Sequence, residues 1–164
     1  MTFFRFLPRF FAAFIACAML TAAPAVADDD ITQAQPQLRT EPLQIVTKRG
    51  VFHFQVEIAD TPASQEVGLM YRPTLARDRG MLFEMDRLAV QAFWMEHCAH
   101  PLDMLFILPD GRILSIARMT KPFSLDPISS GGPVSAVLEI RGGRAAEMGA
   151  EPGDRVVSGY FHNG

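Results

Sequence analysis

From Val51 to Ala59 the chain alternates: Phe52, Phe54, Val56 and Ile58 fall on one side, and Val51, His53, Gln55 and Glu57 on the other. Period two is the mark of a strand with one buried face. Leu43 to Thr47 predicts a short strand before it, joined through a Lys48-Arg49-Gly50 turn. At Asp60-Thr61-Pro62 the pattern changes. Thr61 is a good N-cap and Pro62 fits a first helical turn, so a short helix is predicted to about Met70, turning Val67 and either Met70 or Ala63 inward. Arg72 to Arg79 reads as a loop, and Met81 to Met85 and Gln91 to Met95 as two short strands. Leu102 to Leu108 is a nearly unbroken apolar run, which predicts a central strand; Pro109-Asp110-Gly111 turns it back, and Arg112 to Arg118 alternates as the return. Thr120 to Pro133, with Pro122, Pro127, Gly131 and Gly132, predicts a long loop. Val134 to Ile140 is a further strand, Gly142 to Gly149 a short helix, Pro152-Gly153-Asp154 a turn, and Arg155 to Phe161 a closing strand.

Seven or eight short strands and two short helices exclude a doubly wound α/β sheet, which needs long helices between strands. The expected fold is mainly β (α+β): a small barrel or strongly curved antiparallel sheet with one or two short helices, forming one domain over residues 43–164.

The N-terminus changes the setting. Arg5 and Arg9 precede an apolar stretch from Phe10 to Ala23, and Ala25-Val26-Ala27 is a cleavage signal before Asp28. Residues 1–27 therefore read as a signal peptide, and 28–42, with Pro36 and Pro42, as a flexible arm. The apolar stretch is short of the roughly 20 residues that span a bilayer, so no stable membrane span is expected after cleavage. The expected location is periplasmic or secreted. Cleavage removes two of 15 basic residues and none of 18 acidic ones, so the net charge becomes 13 − 18 = −5. An acidic domain is a poor match to nucleic acid. The expected partner is a small molecule or an envelope component.

Of the two cysteines, Cys17 lies in the signal peptide, so Cys98 is the lone thiol of the mature chain and no internal disulfide can form. It sits in Phe93-Trp94-Met95-Glu96-His97-Cys98-Ala99-His100, with the only tryptophan and two of the four histidines. Met95, His97, Cys98 and His100 are soft ligands suited to Cu(I), which makes Cu(I) the candidate cofactor if they converge at a loop. On an ideal strand, however, His97 points with Met95 and Cys98 with Trp94, and four zinc ligands at a known spacing are absent. Adjacent residues orient poorly as a catalytic dyad, and no C-x-x-C is present.

A second set is polar. Arg72, Asp103 and Glu139 each interrupt an apolar motif, and a charge in such a setting needs a partner. Arg72 can grip a carboxylate or phosphate, or it can hold one of these acids structurally. Asp103 and Glu139 can serve a hydrolase as a pair of acids if the pKa of one is raised. The preferred reading is a binding domain for an unknown ligand, rather than an enzyme, contacting Arg72, Trp94, Asp103, Glu139 and the Pro-rich loop near Phe123.

Seven motifs then occur in order: Gly68-Leu69-Met70-Tyr71-Arg72, Gly80-Met81-Leu82-Phe83, Phe93-Trp94-Met95, Pro101-Leu102-Asp103-Met104-Leu105-Phe106, Asp110-Gly111-Arg112-Ile113, Val137-Leu138-Glu139-Ile140 and Gly153-Asp154-Arg155-Val156. Over Leu43 to Phe161 the chain resembles the domain-of-unknown-function family numbered one hundred ninety-two. The resemblance implies a small, mainly β domain, often secreted in bacteria, with no settled activity. That family usually carries Lys-Asn-Thr where this chain has Glu96-His97-Cys98, so His97 and Cys98 belong to this protein and its near relatives.

Overall fold

The computed structural model describes residues 31–163. The expected signal peptide and Cys17 lie outside them. Seven strands form one curled sheet: β1 (Thr40–Thr47), β2 (Gly50–Ala59), β3 (Arg79–Phe93), β4 (Leu102–Ile107), β5 (Ile113–Ala117), β6 (Ile128–Arg141) and β7 (Arg155–Val157), in the spatial order β5-β4-β6-β3-β2-β1-β7. Two short helices complete it, α1 (Pro62–Val67) and α2 (Arg144–Met148). The mainly β fold with a strongly curved sheet is therefore present. One pairing departs from the expected antiparallel sheet: β2 and β3 run parallel. Parallel neighbours need a crossover, and the chain makes it through α1 and the loop after it.

Thr61 starts α1 as its sequence predicts. Its hydroxyl accepts from Ser64 N at 3.1 Å, and Ser64 Oγ accepts from Thr61 N at 3.1 Å. Gly68 ends the helix at φ +49; a Cβ there would lie 3.1 Å from the Phe83 ring.

Both faces of the sheet are covered. Leu82, Leu105, Ile107, Leu138 and Ile140 pack on one face with Ala145 and Met148 of α2. Met81, Phe83, Met104, Phe106 and Val137 pack on the other with Leu69, Met70, Met95 and Cys98. Alternation along β3, β4 and β6 distributes neighbouring apolar residues to opposite cores, which is why β4 reads as an unbroken apolar run.

Four local expectations are corrected. The two strands foreseen at 81–85 and 91–95 are one long strand, β3, bent by register shifts between Glu84 and Ala89 and between Val90 and Ala92. Strand β6 begins at Ile128, inside the expected loop. The closing strand stops at Val157 and gives way to a 3-10 turn over Gly159–Phe161. Of the stretch foreseen as a flexible arm, the described part, residues 31–42, is docked: Gln35 donates to Gly68 O (2.8 Å), Tyr71 Oη donates to Ile31 O (2.8 Å), and β1 starts at Thr40. Short polar segments with prolines lack periodicity, so these contacts had no signature in the pattern. No helix among the described residues is long and apolar enough to cross a membrane.

Candidate functional site

The three polar residues that interrupt apolar motifs go to three different places. Asp103 is fully buried and opposite Ile140 on the sheet, on the α2 side. Its Oδ1 accepts from Met119 N (2.8 Å) and Gly143 N (3.1 Å), and its Oδ2 accepts from Ala145 N (2.7 Å). The carboxylate thus caps α2, whose N-cap Gly143 has no side chain to do so, and it ties the 119 loop to the helix. Arg72 donates to Glu57 Oε2 at 2.8 Å, and the same oxygen accepts from Leu38 N at 2.8 Å. Both side chains are largely buried, so Arg72 grips the protein's own carboxylate rather than lining a pocket with Asp103 and Glu139.

Glu139 has no such partners. It lies on the opposite face from Asp103, flanked across the sheet by Met81 and Met104, so the two acids do not form a pair. Only 4% of Glu139 is exposed, and burial alone pushes its carboxyl up to about 8, with no hydrogen bond acting on it. At neutral pH the group is mainly a protonated acid, at once donor and acceptor.

Glu139 lines a cavity of about 130 Å³. The wall on one side is α1 and its exit, from Gln65 to Met70; on the other it is the end of β3, Ala92 to Trp94. Phe83 and Phe93 stand edge to face at 5.0 Å, and both line the cavity with Trp94, which is half exposed. Cys98 is also in the lining. Burial and then the nearby Glu139 push its thiol up to about 12, so it is held as a neutral thiol and not as a nucleophilic thiolate. Glu66 and Glu96 complete the charged lining.

Three backbone hydrogen bonds staple the loops around this cavity: Tyr71 N to His97 O (2.9 Å), Met95 N to Ser124 O (2.9 Å) and Phe123 N to Cys98 O (3.3 Å). Tyr71, His97 and Phe123 all hold positive φ, at 58°, 54° and 59°. Left-handed backbone at non-glycine residues persists only where neighbouring structure enforces it, and it gathers at functional sites.

The soft ligands diverge. Met95 is fully buried, and its Sδ accepts from Thr120 Oγ1 at 3.0 Å. His97 turns outward and stacks on Tyr71 at 4.6 Å. Cys98 faces the cavity, while His100 lies in a separate groove with Leu75, Pro101 and Arg141, both ring nitrogens buried without a partner. Among the described residues no three His, Cys, Asp or Glu side chains come together to hold a metal ion. The residues therefore do not fit Cu(I) as a common site, because the chain turns sharply at His97 and sends its neighbours to different surroundings.

Of the foreseen ligand-binding set, Trp94 and Glu139 share the cavity, and Arg72 and Asp103 do not. The sequence reading missed Phe83, Phe93, Glu66 and Glu96. In the lining, Glu139, Trp94 and Cys98 carried a signal; these four read as ordinary strand, helix and loop positions.

No curated protein matches the chain. Crystal structures similar to it include the following two. One is a Sinorhizobium meliloti 1021 protein for which a transcription-regulator role has been suggested, at 37% identity and a TM-score of 0.74, covering 77% of this chain and 99% of that one. The other is a protein of unknown function from Novosphingobium aromaticivorans DSM 12444, at 36% identity and a TM-score of 0.73, covering 89% and 100%. The profile of DUF192, described as an uncharacterized ACR, matches residues 44–158, which takes in every strand from β2 to β7, most of β1 and the whole cavity. The chain belongs to the DUF192 family.

Proposed function

We propose that this protein is an exported binding domain whose site is the cavity between α1 and the end of β3. The observation that carries the reading is Glu139: a carboxyl only 4% exposed, with no hydrogen-bond partner among the described residues, in the lining of an open space. Largely buried polar groups are as a rule hydrogen-bonded, and a bound ligand's polar head would supply the partner that the protein does not. The body of such a ligand would lie against Phe83, Phe93 and Trp94. The volume, about 130 Å³, is roughly ten times the ~10–15 Å³ of such space that one water needs, enough for a small molecule or the head of a larger one. The net charge of −5 after cleavage at Ala27 favours a small-molecule partner over nucleic acid, so the regulator role suggested for the Sinorhizobium protein is not carried over.

The test is a screen of small polar-headed compounds followed by Trp94 fluorescence. Hits should lose binding in Ala92→Trp, which fills the mouth with an indole at an exposed strand position. Hits that bind this variant equally well would place the site elsewhere. Export is tested by N-terminal sequencing of the protein from a periplasmic extract, which should begin at Asp28; an intact Met1 in the cytoplasm would refute it.

A further inference from the structure

Resting on the cavity reading above, we infer that the ligand class is a small protonated amine, held by the Glu139 carboxylate at one end and by aromatic faces around its charge. Every charged side chain of the lining has one sign: Glu66 from α1, Glu96 from the loop after β3, and Glu139 from β6, with no lysine or arginine among them. Such a lining repels anions and concentrates cations. Phe83, Phe93 and Trp94 supply three rings beside it, and the negative face of an aromatic ring attracts an ammonium group. A neutral polar ligand would satisfy the protonated Glu139 but would leave the acidic mouth without a role. A metal ion lacks a third ligand of suitable type close by, among the described residues.

The binding step has a proton balance. The cation enters with its own proton, because an aliphatic amine stays protonated far above pH 7. An opposite charge beside Glu139 favours its ionised form. The carboxyl proton therefore leaves to solvent, and the cavity ends with a neutral ammonium–carboxylate pair. No bond between heavy atoms forms or breaks. Below pH 8, one proton is released for each amine bound, and affinity rises about tenfold per pH unit until Glu139 is already ionised. The other ionisable side chains near the site are Cys98, held neutral throughout this range, Glu66 and Glu96 in the lining, and His97, whose Nε2 is 3.7 Å from Glu96 Oε1. Across the sheet, Met81 and Met104 carry no charge.

The experiment titrates the purified protein with three probes of nearly equal shape: isobutylammonium, isobutanol and isobutyrate. Calorimetry at pH 6.5 in two buffers of different ionisation enthalpy reads the proton count. The expected result is that isobutylammonium binds with one proton released, isobutyrate does not bind, and isobutanol binds at least tenfold more weakly. The affinity for isobutylammonium should rise about a hundredfold from pH 6 to pH 8 and then level off, with the same slope in His97→Gln. Glu139→Gln should abolish both the proton release and the slope. The slope in the wild-type protein decides the matter even if that variant does not fold. Isobutanol binding as tightly as the amine, without proton release, would overturn the amine inference and leave the cavity reading standing. Binding of none of the three would overturn both.

Discussion

Replacing Glu139 by Gln should make the protein more stable, and increasingly so as the pH rises. The folded chain keeps a proton on Glu139 up to about pH 8, while the ordinary value for the residue, 4.5, governs the unfolded chain. Between those values the unfolded state releases a proton that the native state must retain. Stability from this group is fully present below about pH 4.5 and declines by about 1.4 kcal/mol for each pH unit until Glu139 ionises in place. From pH 5 to pH 8 the loss is about 4 kcal/mol, a large fraction of the 5–15 kcal/mol that holds a domain together. Glutamine has nearly the same shape and does not titrate, so its own burial cost is the same at every pH. Thermal melts followed by circular dichroism should show the wild-type midpoint falling relative to Glu139→Gln by roughly 10 to 20 °C across that range. Other titrating groups, such as Glu84, whose carboxyl burial also pushes up, are common to both proteins and cancel in the difference. Two melting curves that stay parallel from pH 5 to pH 8 would mean that Glu139 is solvated or partnered in solution. The cavity argument would then fall with it.

Three further outcomes separate structural from functional roles. Asp103→Ala removes the acceptor for the amides of Met119, Gly143 and Ala145, one of them fully buried, and should cost about 3–5 kcal/mol in urea denaturation, with faster amide exchange at Gly143 and Ala145. A change below 1 kcal/mol would contradict its role as the cap of α2. Arg72→Ala leaves Glu57 without its cation and should cost about 1–3 kcal/mol, while affinity for any ligand of the Trp94 cavity stays within twofold of wild type; loss of binding in a folded variant would return Arg72 to the site. Cys98, pushed up to about 12, should react with iodoacetamide at pH 8 at least a hundredfold more slowly than a free thiol, and a cavity ligand should slow it further. Labelling at the rate of glutathione would show the thiol to be open to solvent.

Much of the fold is legible in residues 43–164 because strand period and turn chemistry are local. The alternation of Phe52, Phe54, Val56 and Ile58, the cap at Thr61 and the reversal at Asp110-Gly111 each depend on a few neighbouring residues, and each appears where the pattern puts it. Order among strands is not local. That β2 pairs parallel with β3, and that Gln35 closes on the end of α1, are decided by which apolar faces find each other over long sequence separations. The same division holds for the site. The sequence marks Arg72, Asp103 and Glu139 alike, as charges in apolar company, and a charge so placed must find a partner or lose its ionisation. It says nothing of which fate each meets. One residue of register sets that outcome: Asp103 faces Ile140 and reaches the amides of α2, while Glu139 faces Met104 and lines a cavity with no hydrogen-bond donor to its carboxyl. Adjacent strand positions point to opposite faces, so tertiary pairing alone could give one acid three hydrogen bonds and the other none.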